Sequence, residues 1–312
     1  MPDDPSDRGD VPRTGDLIAE KYIVERVLGM GGMGLVLAAK HTTLRQPVAI
    51  KLLLSEALAS EEARRRFVRE ARAAGGIKSE HVARVRDFGT LESGAPYLVM
   101  EYLDGVDLKQ RLAEHGPLPI SDAVDYVLQA SEALCEAHNA GIVHRDLKPA
   151  NLFLTAHADG SALIKVLDFG ISKAACFDSV GHNADLTRTD AVLGSPVYMS
   201  PEQVRSPRDV DLRTDIWGIG AVLFELLAGM PPFDADNVAM LGARIVMDPP
   251  RSLREARPDV PAALEAVVLK CLEKVPANRY RSIADFAHAL GEFAPEGAQL
   301  SLQRISRIGS RA

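Results

Sequence analysis

The hydrophobic period changes once along the chain, near residue 106, and that change decides the fold class. Before it, apolar residues alternate or run in short stretches: Tyr22 to Leu28, Leu35 to Lys40, Pro47 to Leu54, Val82 to Phe88 and Tyr97 to Glu101. Turn residues separate them, namely the glycine cluster at 29–34, Arg45-Gln46-Pro47 and Glu92-Ser93-Gly94, so each run is a predicted strand. One helix interrupts this part over Ser60 to Ala74. Glu61 and Glu62 suit the positive end of its dipole, Phe67, Ala71 and Ala74 repeat at helical spacing, and Gly75-Gly76 stops it. Beyond residue 106 the period is helical. Ser121 is the expected cap of a helix that lines up Val124, Val127, Leu128, Leu134 and Cys135 and ends at Gly141. Two short strands, Leu152 to Thr155 and Leu163 to Leu167, precede helical patterns at 215–228, 237–247, 261–273 and 282–293. A small β-rich part joined to a larger helical part is an α+β, two-lobe layout, with its boundary near Glu101–Asp107.

The ends read differently. Residues 1–16 are acidic, rich in Pro and Gly and nearly free of apolar side chains, which predicts a disordered arm. Residues 296–312 are polar, carry Arg304, Arg307 and Arg311, and read as a flexible tail. A net charge of −7 argues against a nucleic-acid-binding body. Cys135, Cys176 and Cys271 are far apart and form no CxxC pair, so neither a disulfide framework nor a zinc site is indicated and a reducing, cytoplasmic compartment fits. No run reaches the ~18–20 apolar residues of a membrane span. Ile216 to Gly229 comes nearest, but it contains Glu225 and ends at Pro231-Pro232, which makes it a buried helix.

Four clusters carry chemistry. Gly29-Met30-Gly31-Gly32-Met33-Gly34 fits GxGxxG, and strand-like residues follow it, so the context is strand–turn–strand. Glycines there let backbone N–H groups approach phosphate oxygens; a plain glycine-rich hairpin explains the cluster equally well. Lys51 stands inside the apolar run Val48-Ala49-Ile50-Lys51, where a buried ammonium needs a partner. Glu70 on the nearby helix is the candidate; a lysine reaching the surface, with Glu70 on a solvated face, is the alternative. His144-Arg145-Asp146-Leu147-Lys148-Pro149-Ala150-Asn151 is the strongest signal. A carboxylate at Asp146 can orient a hydroxyl and take its proton, Lys148 can neutralise a transferring phosphoryl group, and the Asn151 carbonyl can hold a magnesium ion. A second metal ligand, Asp168, opens Asp168-Phe169-Gly170.

Taken together with Ser200-Pro201-Glu202, in this order and spacing, the clusters make the chain resemble the bacterial eukaryotic-type (Hanks-type) serine/threonine protein kinases from about Leu17 to Phe293. The resemblance implies the two-lobe protein kinase fold, with an N-lobe at 17–103 and a C-lobe at 104–295, and ATP with Mg2+ (or Mn2+) as its needs. It assigns Gly29, Gly31 and Gly34, opened by Leu28, to the loop over the ATP phosphates, Lys51 to the α- and β-phosphates, and Glu70 to the lysine's helix partner. Asp146 matches the catalytic base, Lys148 the transition-state lysine, and Asn151 and Asp168 the metal ligands. Met100 matches the back of the adenine pocket, Glu101 and Leu103 the hinge, Val36, Ala49 and Phe153 the residues that sandwich the base, and Asp107 the ribose contact. Asp215 resembles the aspartate that holds the catalytic loop, and Glu202 with Arg279 a structural ion pair. Lys148 and Gly194-Ser195-Pro196 match the serine/threonine rather than the tyrosine pattern.

Protein substrates, a homodimer through the small lobe, and phosphorylation at Thr187 and Thr189 to pair with Arg145 are further implications. Ala150 and Ser200 depart from the usual residues without removing a group the mechanism needs. The alternatives are a catalytically silent pseudokinase scaffold, which usually lacks a Lys51, Asp146 or Asp168 equivalent, and a small-molecule phosphotransferase, which lacks the Ser-Pro-Glu segment.

Overall fold

A computed structural model describes residues 12–31, 34–53, 61–169, 196–206 and 210–310, with the side chains at 62, 63, 66, 70 and 73 excepted. The chain divides into two compact units. One runs to Gly76 and resumes over Ala83–Asp104; the other takes Ile77–Val82 and everything from Gly105 on.

The first unit is an antiparallel sheet built from β1 (Leu17–Ile18), β2 (Tyr22–Gly31), β3 (Gly34–His41), β4 (Pro47–Leu53), β5 (Val85–Thr90) and β6 (Pro96–Glu101), in the order β1-β2-β3-β4-β6-β5. Side chains alternate across a strand, so each strand feeds both faces. Leu35, Leu37, Ala39, Val48, Ile50, Leu52, Tyr97 and Val99 fill one face together with Ile18, Tyr22 and Val24. On the other face Leu53 and Leu98 receive Phe67 and Ala71 from α1 (Glu61–Gly76). The sequence places the disordered arm as far as residue 16, but its last residues are tied to β2. The amide of Gly15 donates to the Val24 carbonyl at 2.8 Å and that of Val24 to the Asp16 carbonyl at 2.9 Å. The Arg13 amide donates to Asp16 Oδ2 at 2.7 Å. Residues 1–11 lie outside the described residues.

In the second unit, β7 (Val106–Asp107), β8 (Leu152–Ala156) and β9 (Ala162–Val166) form a small sheet. The helices are α2 (Leu108–His115), α3 (Ile120–Asn139), α4 (Pro201–Arg205), α5 (Arg213–Ala228), α6 (Val238–Met247), α7 (Leu253–Ala256), α8 (Ala262–Cys271), α9 (Ile283–Leu290) and α10 (Gln299–Gly309). α5 is buried almost all round, as the apolar run at 216–228 requires, and stops at Gly229 in the left-handed region, φ 74°. Ser121 does not cap α3. The helix begins one residue earlier, after Pro119, with no side-chain cap, and the Ser121 hydroxyl donates to Asp122 instead. The predicted strand Val82 to Phe88 is split: Val82 makes a parallel bridge to Val166 in the second unit, and β5 starts at Val85.

The expected flexible tail at 296–312 is corrected. Residues 299–309 form α10, whose Ser301 and Ile305 are buried and whose Leu302 and Ile308 join the core around α3. Asn139 Nδ2 donates to the Ile308 carbonyl at 2.8 Å. Polar composition hid an apolar stripe at Leu302, Ile305 and Ile308, spaced three apart.

Candidate active site

The strand registers gather one group of the sequence-predicted residues. Val36 pairs with Lys51, Lys51 with Leu98, and Ala49 with both Ala38 and Met100. Directly opposed residues share a sheet face. Val36, Ala49, Lys51 and Met100 therefore lie on the face that carries α1, not on the face filled by the larger core. Lys51 is half-buried between the buried Ile50 and Leu52. Glu70 falls on α1, three residues after Phe67, and its side chain lies outside the described residues. Leu28, Gly29 and Gly31 end β2, and Gly34 starts β3. Gly34 is required sterically, because a Cβ there would run into the Leu52 carbonyl. Glu101 ends β6, where its Oε1 accepts from the Arg84 amide at 2.9 Å, and Leu103 follows it.

In the second unit Asp107 opens α2. Its Oδ1 accepts from the Gln110 amide at 2.9 Å and so caps the helix. Phe153 lies on β8 directly opposite Asp107. Just before β8, a 3-10 turn at Pro149–Asn151 brings three polar side chains together. Lys148 Nζ lies 3.0 Å from Asp146 Oδ2, and the two side chains are 21% and 14% exposed. Asn151 Nδ2 donates to the Asp146 carbonyl at 2.7 Å and to Asp146 Oδ2 at 3.1 Å. The amide nitrogen is thus committed to Asp146, and the side-chain Oδ1 is the group's acceptor.

This loop is held in an uncommon backbone shape. Arg145 has φ 65° and Asp168 φ 48°, both in the left-handed region that costs a non-glycine residue about 1–2 kcal/mol. Asp215, buried at the start of α5, fixes the first of these. Its Oδ2 accepts from the His144 amide at 2.8 Å and from the His138 ring at 2.7 Å, and its Oδ1 accepts from the Arg145 amide at 2.8 Å. Burial alone would push this carboxyl up, but the His138 hydrogen bond, the nearby histidines and the Arg145 amide hold it below the usual range. On the other side Gln203 Nε2 donates to the Arg145 carbonyl at 2.8 Å.

The buried His144 ring links the two loops. The Asp146 amide donates to its Nδ1 at 3.2 Å, so its Nε2 carries the proton and donates to the Leu167 carbonyl at 3.0 Å. The ring also lies against Phe169, centroid to centroid 4.9 Å. The Leu167 amide donates to the Asn151 carbonyl at 2.8 Å. The backbones at Asn151 and Asp168 are therefore set by one hydrogen-bonded network, and Asp168 itself is exposed. Their donor set, a carboxylate and an amide oxygen, fits a hard divalent cation. Thr187 and Thr189 lie outside the described residues.

Below the loop, Glu202 and Arg279 form a two-pronged pair, Nη1 to Oε1 2.6 Å and Nη2 to Oε2 2.7 Å. The Arg279 side chain is 0% exposed and that of Glu202 17%. Ser200 closes a capping box on α4 with Gln203 and shares a 2.6 Å hydrogen bond with Thr214. Sequence reasoning missed His138, Gln203 and Thr214, since each acts across a long stretch of chain and carries no local pattern.

A protein kinase domain model matches residues 22–289. The chain belongs to the protein kinase family. It is similar to serine/threonine-protein kinase pkn3 of Myxococcus xanthus, 39% identical over 274 residues that cover 87% of this chain and 50% of that protein. It is also similar to serine/threonine-protein kinase PknB of Mycobacterium leprae, 36% identical over 271 residues, 86% of this chain and 42% of that one. The chain spans half or less of the length of these curated relatives. Among solved structures, the Mycobacterium tuberculosis PknI kinase domain matches with a TM-score of 0.70 and 32% identity, over 91% of this chain and 100% of that one. The small β-rich unit and larger helical unit are the two lobes of the protein kinase fold, and family membership carries with it the use of ATP and a divalent metal ion. No helix among the described residues is long and apolar enough to cross a membrane.

Proposed function

We propose that the chain transfers the γ-phosphoryl group of ATP to serine or threonine hydroxyls of proteins, and that residues 17–295 form the domain that does so. The hydrogen-bonded set Asp146–Lys148–Asn151 carries this reading. Asp146 orients the acceptor hydroxyl and takes its proton as the oxygen bonds to the γ-phosphorus. The bond to the β–γ bridging oxygen breaks, and ADP leaves with that electron pair. Lys148, 3.0 Å from Asp146, supplies positive charge beside the group in flight.

Asn151 and Asp168 would hold the metal ion, Mg2+ or Mn2+, both of which suit carboxylate and carbonyl oxygens, and the ion when bound neutralises phosphate charge. Gly29, Gly31 and Gly34, with Leu28, cover the phosphates, Lys51 holds the α- and β-phosphates, and Glu70 partners it. Val36, Ala49, Phe153, Met100, Glu101 and Leu103 take the adenine, and the second oxygen of Asp107 takes the ribose. Thr187 and Thr189 are the proposed sites of self-phosphorylation, whose phosphates would pair with Arg145. That reaction calls for a second copy of the chain as first substrate. The two buried cysteines, Cys135 and Cys271, support a reducing, cytoplasmic setting.

The test is phosphate transfer from labelled ATP with Mg2+ or Mn2+, in wild type and Asp146→Asn side by side, followed by mass spectrometry. Label on Thr187 or Thr189 in wild type and none in the variant is expected. Nucleotide binding without any transfer, to itself or to acceptor proteins, would overturn the reading.

A further inference from the structure

One arginine of α10 ties that helix to the short strip of chain beside β9. Arg304 Nη1 is paired with Glu80 Oε1 and lies 3.4 Å from Glu132 Oε1 on α3. Glu80 begins a three-residue strip that is pinned directly to β9. The Val166 amide donates to the His81 carbonyl at 2.7 Å. The His81 ring donates through Nδ1 to the Ile164 carbonyl at 2.9 Å, and Val82 bridges Val166. β9 then runs straight into Leu167 and Asp168, and the Leu167 amide is the one held by Asn151.

The Glu80 side chain is 41% exposed. The His81 ring and the Glu132 carboxylate, by contrast, are almost fully buried. Among the described residues Glu132 Oε2 has no hydrogen-bond partner, and it lies 3.7 Å from His81 Nε2. With Nδ1 protonated by its bond to Ile164, Nε2 of the neutral ring presents a lone pair to that oxygen. Arg304 binds both Glu80 and Glu132 and so ties the strip and α3 to α10.

We propose that Arg304 is a positioning residue: α10 acts as a strap that fixes the Glu80–Val82 strip, and through it β9 and the register of Asp168 against Asn151. The metal-binding role of those two residues is part of the reading above and the proposal rests on it; the mechanical link from Arg304 to β9 does not.

The experiment compares wild type with Arg304→Met, which keeps the apolar stem and removes the charge, and with Arg307→Met on the exposed side of the same helix. Hydrogen exchange at the Val166 and Leu167 amides reads the mechanical link without any catalysis. Roughly tenfold faster exchange is expected in Arg304→Met and none in Arg307→Met. In phosphate transfer, the Mg2+ concentration for half-maximal rate should rise roughly tenfold, the scale of losing a supporting contact to a metal ligand. The kcat at saturating Mg2+ should stay within about twofold. Arg304→Lys should restore part of both. Should Arg304→Met fold poorly, Glu80→Gln removes the same pair from its other end.

Unchanged exchange at Val166 and Leu167 overturns the strap, whatever the activity. Faster exchange with an unchanged Mg2+ dependence overturns it too, because α10 would then only stabilise. A wild type that transfers no phosphate sinks the functional reading, while the exchange data still decide the mechanical one.

Discussion

Replacing Asp215 by asparagine exchanges one carboxylate oxygen for an NH2 group and removes a charge, at a side chain only 1% exposed. The carboxylate takes three hydrogen bonds, from the His144 and Arg145 amides and the His138 ring, at 2.7–2.8 Å. Both oxygens are in use, so whichever one becomes nitrogen, an N–H is aimed at an N–H. One charge-assisted bond is lost, worth ~1.5–3 kcal/mol, and a buried donor is left unmade at ~1–3 kcal/mol. The expected loss is about 3–5 kcal/mol, a large part of a total stability of ~5–15 kcal/mol. Because the folded carboxyl titrates below its ordinary 3.8, its stabilisation is fully present above that value and lost only as the pH falls through the folded pKa. The penalty should therefore be constant across the neutral range.

The catalytic effect follows from Arg145. Its left-handed backbone, φ 65°, is held by the amide bond that the substitution weakens. Relaxation there moves the next residue, Asp146, and a displacement of ~1 Å is enough to cost roughly 100-fold in rate. Urea unfolding gives the first number; kcat and KM for ATP give the second. Expected are a lower midpoint at unchanged m-value and a kcat loss much larger than the change in KM. Wild-type stability, or an effect confined to KM, would refute the argument that Asp215 holds the loop.

Other consequences are independent of it. Burial, with Glu80 and Glu136 nearby, pushes the Glu132 carboxyl up to about 7, only partly opposed by Arg304. The protonated form is favoured in the fold, so wild type should lose stability as pH rises from about 4.5 to 7, by roughly 3 kcal/mol, and Glu132→Gln should not. Parallel melting curves across that range would refute this. Glu202→Ala strands the buried Arg279 guanidinium and should cost about 3–5 kcal/mol, with the double variant Glu202→Ala/Arg279→Met less damaged than Glu202→Ala alone; additive losses in a double-mutant cycle would contradict the pairing. Ser200→Ala removes a cap and should lower the stability by about 1 kcal/mol without changing KM for ATP. Asp146→Asn should lose roughly 100- to 10,000-fold in kcat while melting within a degree or so of wild type, a split that thermal unfolding and kinetics read directly.

How far the sequence reached depends on the range of the interactions involved. Alternation in residues 22–101 predicted strands close to the observed ones, because each strand buries its own odd or even residues and the pattern is local. The Asp146–Lys148–Asn151 set was legible for the same reason: six residues of chain build it, with its hydrogen bonds made inside the turn. Failures came where a second element decides. Ser121 has the chemistry of a cap, but α3 begins earlier, at Ile120, where Leu118 is already fixed by the α5 carbonyl of Leu226 at 2.8 Å. Residues 299–309 have a polar average, yet three apolar side chains at helical spacing suffice once α3 offers a surface to cover. His138 illustrates the limit: on sequence it is one more polar residue late in a helix, and its role exists only because α5 brings Asp215 to 2.7 Å from it. The loop geometry at Arg145 thus depends on partners tens of residues away, and a motif that names the reacting groups leaves unnamed the groups that hold them in place.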